Sequence, residues 1–338
     1  MLPLDKNESY WMLDEHLARL VCSQTVREFS RYPEYGELKS ELAAYVGVGT
    51  ENLFITPGSD AAIEHVARVF AQSGEVILPM PTFYGYETIL DRVGARIVPV
   101  TYTEQDGRFI FPLAETIAEL GKGSAKILFL CHPNNPLGCP FSNEDITALV
   151  AASRGSDTLI VADEAYFEFS GSTFLPYLIG LPNLVILRSF SKTFALAGAR
   201  VGYAIAAPSI TARLQSDMLS WPVAHPSIAA ARALLAHESE VRARRALVIS
   251  ARESFGEALR TIPNVTVYLS ETNFVLARVP EAARVRDALL AQGIRVALGE
   301  SMTRFPDAKK LLHDTLRIAV PALESQNFFI EIYKKVLQ

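Results

Sequence analysis

The sequence predicts an α/β fold, with a large domain built on a mostly parallel seven-stranded sheet and a smaller α+β domain behind it. Two observations predict this. From about residue 50, short apolar runs alternate with amphipathic segments, the pattern of crossover units that lay down parallel strands. Beyond Pro226 a long charged amphipathic stretch reads as a connecting helix, and a short set of strands and helices follows it.

The strand candidates of the large domain are 52–56, 75–78, 96–101, 126–131, 158–163, 183–188 and 201–206, each a short run rich in Val, Ile and Leu. Between them, 60–71 places Ile63, Val66, Ala67 and Phe70 on one helical face. A second helix is expected over 143–154, with Ser142 as N-cap and Asp145 completing a box-like pattern. The connecting helix is expected to run unbroken to about Ile262. Strands at 265–269, 273–278 and 315–320 and helices at 282–292 and 326–336 then form the smaller unit. The expected division is an N-terminal segment 1–30 lying on the small domain or a partner subunit, a large domain 31–225, and 226–338 as connecting helix and small domain. No internal repeat or low-complexity linker interrupts it.

The bulk numbers narrow the function. A chain of 338 residues, 49% hydrophobic and 20% charged, can bury a large core. Its formal charge of -5 leaves no cationic surplus for a nucleic acid backbone, so a small-molecule substrate is expected. No run is apolar and long enough to cross a bilayer, and the start of the chain lacks the pattern of a secretory signal. Cys22, Cys131 and Cys139 form no CxxC pair, so neither a metal site nor a disulfide framework is expected, and a reducing cytoplasm fits.

The informative residues follow strands, where an open α/β sheet forms its ligand crevice. In Arg188-Ser189-Phe190-Ser191-Lys192 a strand runs into a serine loop ending on one lysine, with Arg200 shortly after. A lysine held among apolar neighbours has a depressed pKa and can attack a carbonyl to form an imine, while Ser189, Ser191 and Arg200 offer donors to a phosphate. Taken alone, Lys192 reads as a solvated loop lysine. In Asp163-Glu164-Ala165-Tyr166 a carboxylate leaves an apolar strand, a costly placement unless a cation such as a protonated pyridine nitrogen pairs with it. Tyr166, and Asn135 within the proline-rich turn 132–138, are placed to donate to a phenolate oxygen on the same ring. Read singly, Asp163 also suits a helix cap or ion pair, and Asn135 a structural turn. His132 has no companion ligand and is taken as structural. Thr56-Pro57-Gly58-Ser59-Asp60 is a strand, a tight glycine turn and a helix start, which can cradle a phosphate. Phe83, after the next strand, can cover a flat ring or simply fill core.

In this order, Asn-Asn-Pro-x-Gly, Asp-Glu-Ala-Tyr and Ser-Phe-Ser-Lys with the following arginine resemble the fold-type I, class I/II aminotransferases, most closely their histidinol-phosphate aminotransferase branch. The resemblance spans almost the whole chain. It implies a pyridoxal-5'-phosphate (PLP) enzyme that carries its cofactor as a Schiff base on Lys192 and passes an amino group from an amino acid or amino-alcohol phosphate to a 2-oxo acid. It further implies that Asp163, Tyr166 and Asn135 tune the ring, that Ser59, Asp60, Ser189, Ser191 and Arg200 hold the phosphate, and that Phe83 stacks on the ring. Arg317 is implied to grip the substrate's carboxylate or phosphate, with Asn135 and Tyr10 beside the substrate. Tyr32 matches a tyrosine that reaches the cofactor phosphate of a neighbouring subunit, which implies a homodimer.

Three positions depart from the family pattern. Leu137 stands where threonine is usual, and Asn7-Glu8-Ser9-Tyr10 lacks the usual proline and glycine. Ala297 stands where the histidinol-phosphate branch places an arginine for the substrate phosphate. The chemistry is therefore better specified than the substrate. A decarboxylase, lyase or cyclase of the same fold stays open as an alternative, and a PLP-binding sensor without turnover is the rival from another class.

Overall fold

A computed structural model describes residues 1–8, 13–23 and 26–337, the side chains of Arg27 and Glu28 apart. Seven strands form the main sheet: β1 (Leu53–Thr56), β2 (Glu75–Met80), β3 (Arg96–Thr101), β4 (Ala125–Cys131), β5 (Leu159–Asp163), β6 (Leu184–Ser189) and β7 (Gly202–Ala206). Their order is β1-β7-β6-β5-β4-β2-β3. Only β7 runs antiparallel to its neighbours β1 and β6, and the other pairs are parallel. The seven expected strands are thus the seven observed, each within two residues at its ends.

The strands read as continuous apolar runs because both faces of the sheet are covered. Side chains alternate between two cores. Ile127, Phe129, Val161, Val185 and Leu187 face one core with Ile63, Val66 and Ala67 of a helix over Ser59–Ala71. Leu128, Leu130, Ile160, Ala162 and Ile186 face the other, with Ile146, Leu149 and Val150 of a helix over Asn143–Ser153. That second helix opens with the expected capping box: Asp145 N–H donates to Ser142 Oγ at 3.0 Å and Ser142 N–H donates to Asp145 Oδ2 at 3.0 Å.

The connecting segment differs from expectation. It is two helices, His225–Ala236 and Glu238–Arg260, rather than one. The break falls at His237, whose φ of -112° and ψ of 32° leave the helical region. The His237 ring takes the Ala233 carbonyl, Nδ1 to O 2.9 Å, a carbonyl that a continuing helix would bond through its backbone. No proline or glycine marks the site, so no breaker signal was there to read.

A second sheet of four antiparallel strands is assembled from Thr266–Val267, Phe274–Arg278, Ala297–Leu298 and Thr315–Ala319. Helices Ala282–Ala291 and Leu323–Leu337 accompany it, with Val285, Leu289, Phe329 and Tyr333 in its core. Leu2–Pro3 pairs in parallel with Ile294–Arg295, and Leu4 enters the same core. A helix over Glu15–Val21, capped by Asp14, and a hairpin over Thr103–Gln105 and Arg108–Ile110 had no clear periodic signal in the sequence. No helix among the described residues is long and apolar enough to cross a membrane.

Candidate active site

The parallel strands end on one edge of the large sheet, and a cavity of about 370 Å³ opens there. Ser59, Asp60, Phe83, Asn135, Asp163, Tyr166, Ser189, Ser191, Lys192, Arg200 and Arg317 all line it. A slightly larger cavity, about 420 Å³, lies between Arg108, Arg252 and Tyr268 and contains none of these side chains.

At one end the turn after β1 brings the Ser59–Ala71 helix to the cavity. Gly58 sits at φ +88° and gives the helix no side-chain cap, so its first-turn N–H groups and positive dipole end face an anion site. Close packing fixes the turn. A Cβ on Gly202 would lie 2.6 Å from the Gly58 carbonyl carbon and 2.7 Å from Ser59 N. Arg200, itself in the left-handed region at φ 52°, reaches Asp60 Oδ2 at 3.3 Å. Ser189 and Ser191 are buried beside them, with Ser191 N–H donating to Ser189 Oγ at 3.0 Å.

At the other end of the cofactor-sized space stands Asp163, the last residue of β5. Its Oδ2 accepts from the Tyr86 hydroxyl at 2.8 Å and its Oδ1 from Ala165 N–H at 3.2 Å. Burial pushes its carboxyl up to about 6, against these two donors. Among the described residues it has no cationic partner within ion-pair distance, so a buried carboxylate here awaits a cation.

Lys192 follows β6 after two residues. Its Nζ lies 3.3 Å from Asn7 O and 3.4 Å from Lys6 O, and 5.4 Å from the centre of the Tyr166 ring. Burial first, and then the Arg317 guanidinium, bring its ammonium down to about 8. The amine is therefore available as nucleophile and base near neutral pH.

Asn135 is held by a rigid turn: Asn134 Nδ2 donates to Pro81 O at 3.1 Å, and Leu137 N–H donates to Asn134 Oδ1 at 3.0 Å. Leu137, the departure from the family's threonine, is fully buried core. Asn135 Oδ1 accepts from Arg317 Nη1 at 2.7 Å, which turns its amide Nδ2 to donate elsewhere. The Tyr166 hydroxyl accepts from Asn7 Nδ2 at 3.0 Å. Burial raises that phenol, while Arg317 and Asn7 pull it down. Arg317 is buried on the strand Thr315–Ala319, donates through Nη2 to Asp5 O at 2.5 Å, and has no partner for Nε among the described residues. Phe83 covers one side of the cavity, where Gly85 leaves it room: a Cβ there would meet the ring at 2.3 Å.

Two further expected residues stand apart from this cavity's described lining. Tyr32 is 74% exposed and stacks on Trp221 with centroids 4.4 Å apart, away from the cavity. Tyr10 lies outside the described residues. His132 is enclosed, accepting from Phe141 N–H at 3.0 Å, and burial brings it down to about 4. Sequence reasoning gave no role to Tyr86, which sits one helical turn after Phe83 and reads as core. It also gave none to Asn7, whose only signal was the Asn-Glu pair.

The model of the family "Aminotransferase class I and II" matches residues 11–328. A histidinol-phosphate aminotransferase of Thermoanaerobacter pseudethanolicus is 34% identical over 342 residues, covering 99% of this chain and 92% of the relative. The crystal structure of histidinol-phosphate aminotransferase from Sinorhizobium meliloti in complex with pyridoxal-5'-phosphate superposes with a TM-score of 0.88 at 23% identity, over 99% of this chain and 90% of that one. L-threonine-O-3-phosphate decarboxylase from Porphyromonas gingivalis shares the fold, with a TM-score of 0.84 at 22% identity over 100% of this chain and 99% of the other. Family model, near-full-length relative and strand-edge cavity converge: this chain belongs to the class I and II aminotransferases.

Proposed function

We propose that this PLP-dependent aminotransferase holds its cofactor between Asp163 and the Ser59–Ala71 helix, covalently through Lys192, and passes an amino group from an amino acid or amino-alcohol phosphate to a 2-oxo acid in two half-reactions. One observation carries the reading. A lysine with its amine brought down to about 8 shares a cavity with a buried carboxylate that lacks a cation and a helix N-terminus that lacks a cap.

These residues fit the cofactor. Ser59, Ser189, Ser191, Arg200 and the helix N–H groups suit its phosphate, with Asp60 orienting Arg200. Asp163 suits the ring nitrogen and would keep a proton there. Tyr166 and the amide Nδ2 of Asn135 suit its phenolate oxygen, and Phe83 its face. When bound, the cofactor supplies an aldehyde for the amino group and a sink for the electrons left as the substrate's Cα–H bond breaks. Once the incoming amine has displaced it, Lys192 would take the proton from the substrate's Cα and return it to the carbon on the far side of the transferred nitrogen. Arg317, positioned by Asn135 and Asp5, grips the substrate's anionic group and so orients Cα–H toward that amine.

The relative's name brings histidinol phosphate forward as the first donor to test. Ala297 lies directly opposite Arg317 in the small sheet, so one guanidinium rather than two is presented at this pair. The reading also includes a large domain 31–225, a small domain 226–338, a cytoplasmic setting and a homodimer. The stacked and exposed Tyr32 and Trp221 support an interface at which Tyr32 serves the neighbouring subunit.

The test is a panel of L-amino acids and histidinol phosphate mixed with PLP-loaded protein, followed by absorbance and product analysis. Bleaching of the visible cofactor band together with a matching oxo product supports transamination. Release of carbon dioxide instead would replace it with decarboxylation.

A further inference from the structure

Away from the cavity, the Glu15–Val21 helix lies against the joint between His225–Ala236 and Glu238–Arg260, and this contact gathers three side chains that transamination does not use. They are His16 in the first helix, His237 at the joint, and Glu240 just after it. One ring nitrogen of each histidine and one carboxylate oxygen of Glu240 lie within 4.8 Å of one another. His16 Nε2 is 3.8 Å from Glu240 Oε2, and the two imidazoles meet edge to face with centroids 5.6 Å apart. We propose that His16, His237 and Glu240 form a binding site for a divalent transition-metal ion of the zinc type, which staples the N-terminal helix to the helix joint.

The donor set suits that class of ion. Two imidazoles and one carboxylate are borderline ligands, and a zinc ion takes three such groups with water in the fourth position. His237 points to a ligand independently of the cluster. A carbonyl only accepts, so the 2.9 Å contact with Ala233 O makes Nδ1 the donor and leaves Nε2 as the ring nitrogen open to a ligand. Fixing a histidine through its second nitrogen to a backbone carbonyl is the usual outer-shell arrangement of a metal ligand. Here the carbonyl is the one released where the helix breaks, which gives the break at His237 a use.

The first helix is also seated without any ion. Asp14 caps it, accepting from Leu17 N–H at 2.9 Å, and pairs with Arg244 of the facing helix. Ligand atoms around tetrahedral zinc stand about 3.4 Å apart for bonds of about 2.1 Å. The side chains of His16 and Glu240, 59% and 44% exposed, are free enough to close that distance by rotation. A second group, Glu300, His313 and Asp314, is less suited. It offers one imidazole, with Nδ1 2.9 Å from Glu300 Oε1 and Nε2 3.6 Å from Asp314 Oδ2.

Isothermal titration of zinc chloride into chelator-treated, PLP-loaded full-length protein tests the proposal, with His16→Ala, Glu240→Gln and His313→Ala as variants. The expected result is one equivalent bound, with a rise in Tm that ligand linkage requires. Affinity should fall at least tenfold in His16→Ala and in Glu240→Gln and stay unchanged in His313→Ala. The first two substitutions sit on exposed side chains outside the active site, and unaltered zinc-free transamination in both reports an intact fold. Absence of saturable binding to the parent protein overturns the proposal, as does binding that is equally strong in His16→Ala and Glu240→Gln.

Discussion

The Tyr86 hydroxyl donates to Asp163 Oδ2 at 2.8 Å, beneath the ring-sized part of the cavity, and so holds the carboxylate in one orientation from a residue that is itself completely buried. In the proposed function Asp163 is the group that makes the pocket an electron-sink site, and Tyr86 is its support. Asp163→Asn should lower kcat at least about 100-fold, about 2.7 kcal/mol of lost transition-state stabilisation. Tyr86→Phe should cost less, about tenfold, the worth of one hydrogen bond to a charged group. Steady-state kinetics at saturating cofactor separates the two, and equal losses would show that Tyr86 does more than orient the carboxylate.

The lysine makes a prediction about pH. With a native pKa of about 8 against 10.5 in the unfolded chain, Lys192 binds its proton less readily when folded. In the cofactor-free protein this destabilises at and below pH 8, and the penalty is relieved as pH rises from about 8 toward 10.5. Lys192→Met should therefore stabilise the cofactor-free protein at neutral pH and flatten its stability over that window. Denaturant titrations at several pH values read this out directly. In the cofactor-loaded enzyme, Lys192→Ala should keep cofactor without a covalent link and lose about 10²–10⁴-fold in rate, with partial rescue by added small amines.

Asp163 titrates the other way. Its native pKa of about 6 lies above the unfolded 3.8, so the cofactor-free protein loses stability from this group as pH rises from 3.8 through 6. Asp163→Asn should be more stable than the parent above that range in the absence of cofactor, and should lose that advantage when PLP is added. Thermal melts with and without PLP check both halves.

Packing at the phosphate end offers a test independent of charge. A Cβ at position 202 would stand 2.6 Å from backbone at Gly58. Gly202→Ala must push the turn away from Ser189, and cofactor affinity should fall at least tenfold while the large sheet stays folded. Equilibrium dialysis with PLP gives the number, and wild-type affinity would mean that the turn does not hold the phosphate.

Substrate choice can be moved at one position. Ala297 faces Arg317 across an antiparallel pair, where side chains directly opposite share a face. Ala297→Arg should lower KM for histidinol phosphate several-fold and leave KM for unphosphorylated amino acids unchanged or raised, because two like charges then need a dianion between them.

Much of this was legible in the residues. All seven strands of the main sheet were, because burial on both faces demands unbroken runs such as Ile127 to Leu130. Lys192, Asp163, Asn135 and Ser59 were legible by position, since each ends or follows a strand at the edge where a crevice must form. The break at His237 was not, since a side chain competing for one carbonyl leaves no mark in hydrophobic periodicity. Asn7 and Tyr86 escaped notice because their partners, Tyr166 and Asp163, are far away in sequence. His16 and His237 met only once the helices had packed.

Borohydride reduction of the PLP-loaded protein, followed by proteolysis and mass spectrometry, addresses the account at its centre. The account predicts a single phosphopyridoxyl group on the peptide that contains Lys192, and its absence after Lys192→Ala. A label on a different lysine, or none in a protein that still transaminates, would contradict it.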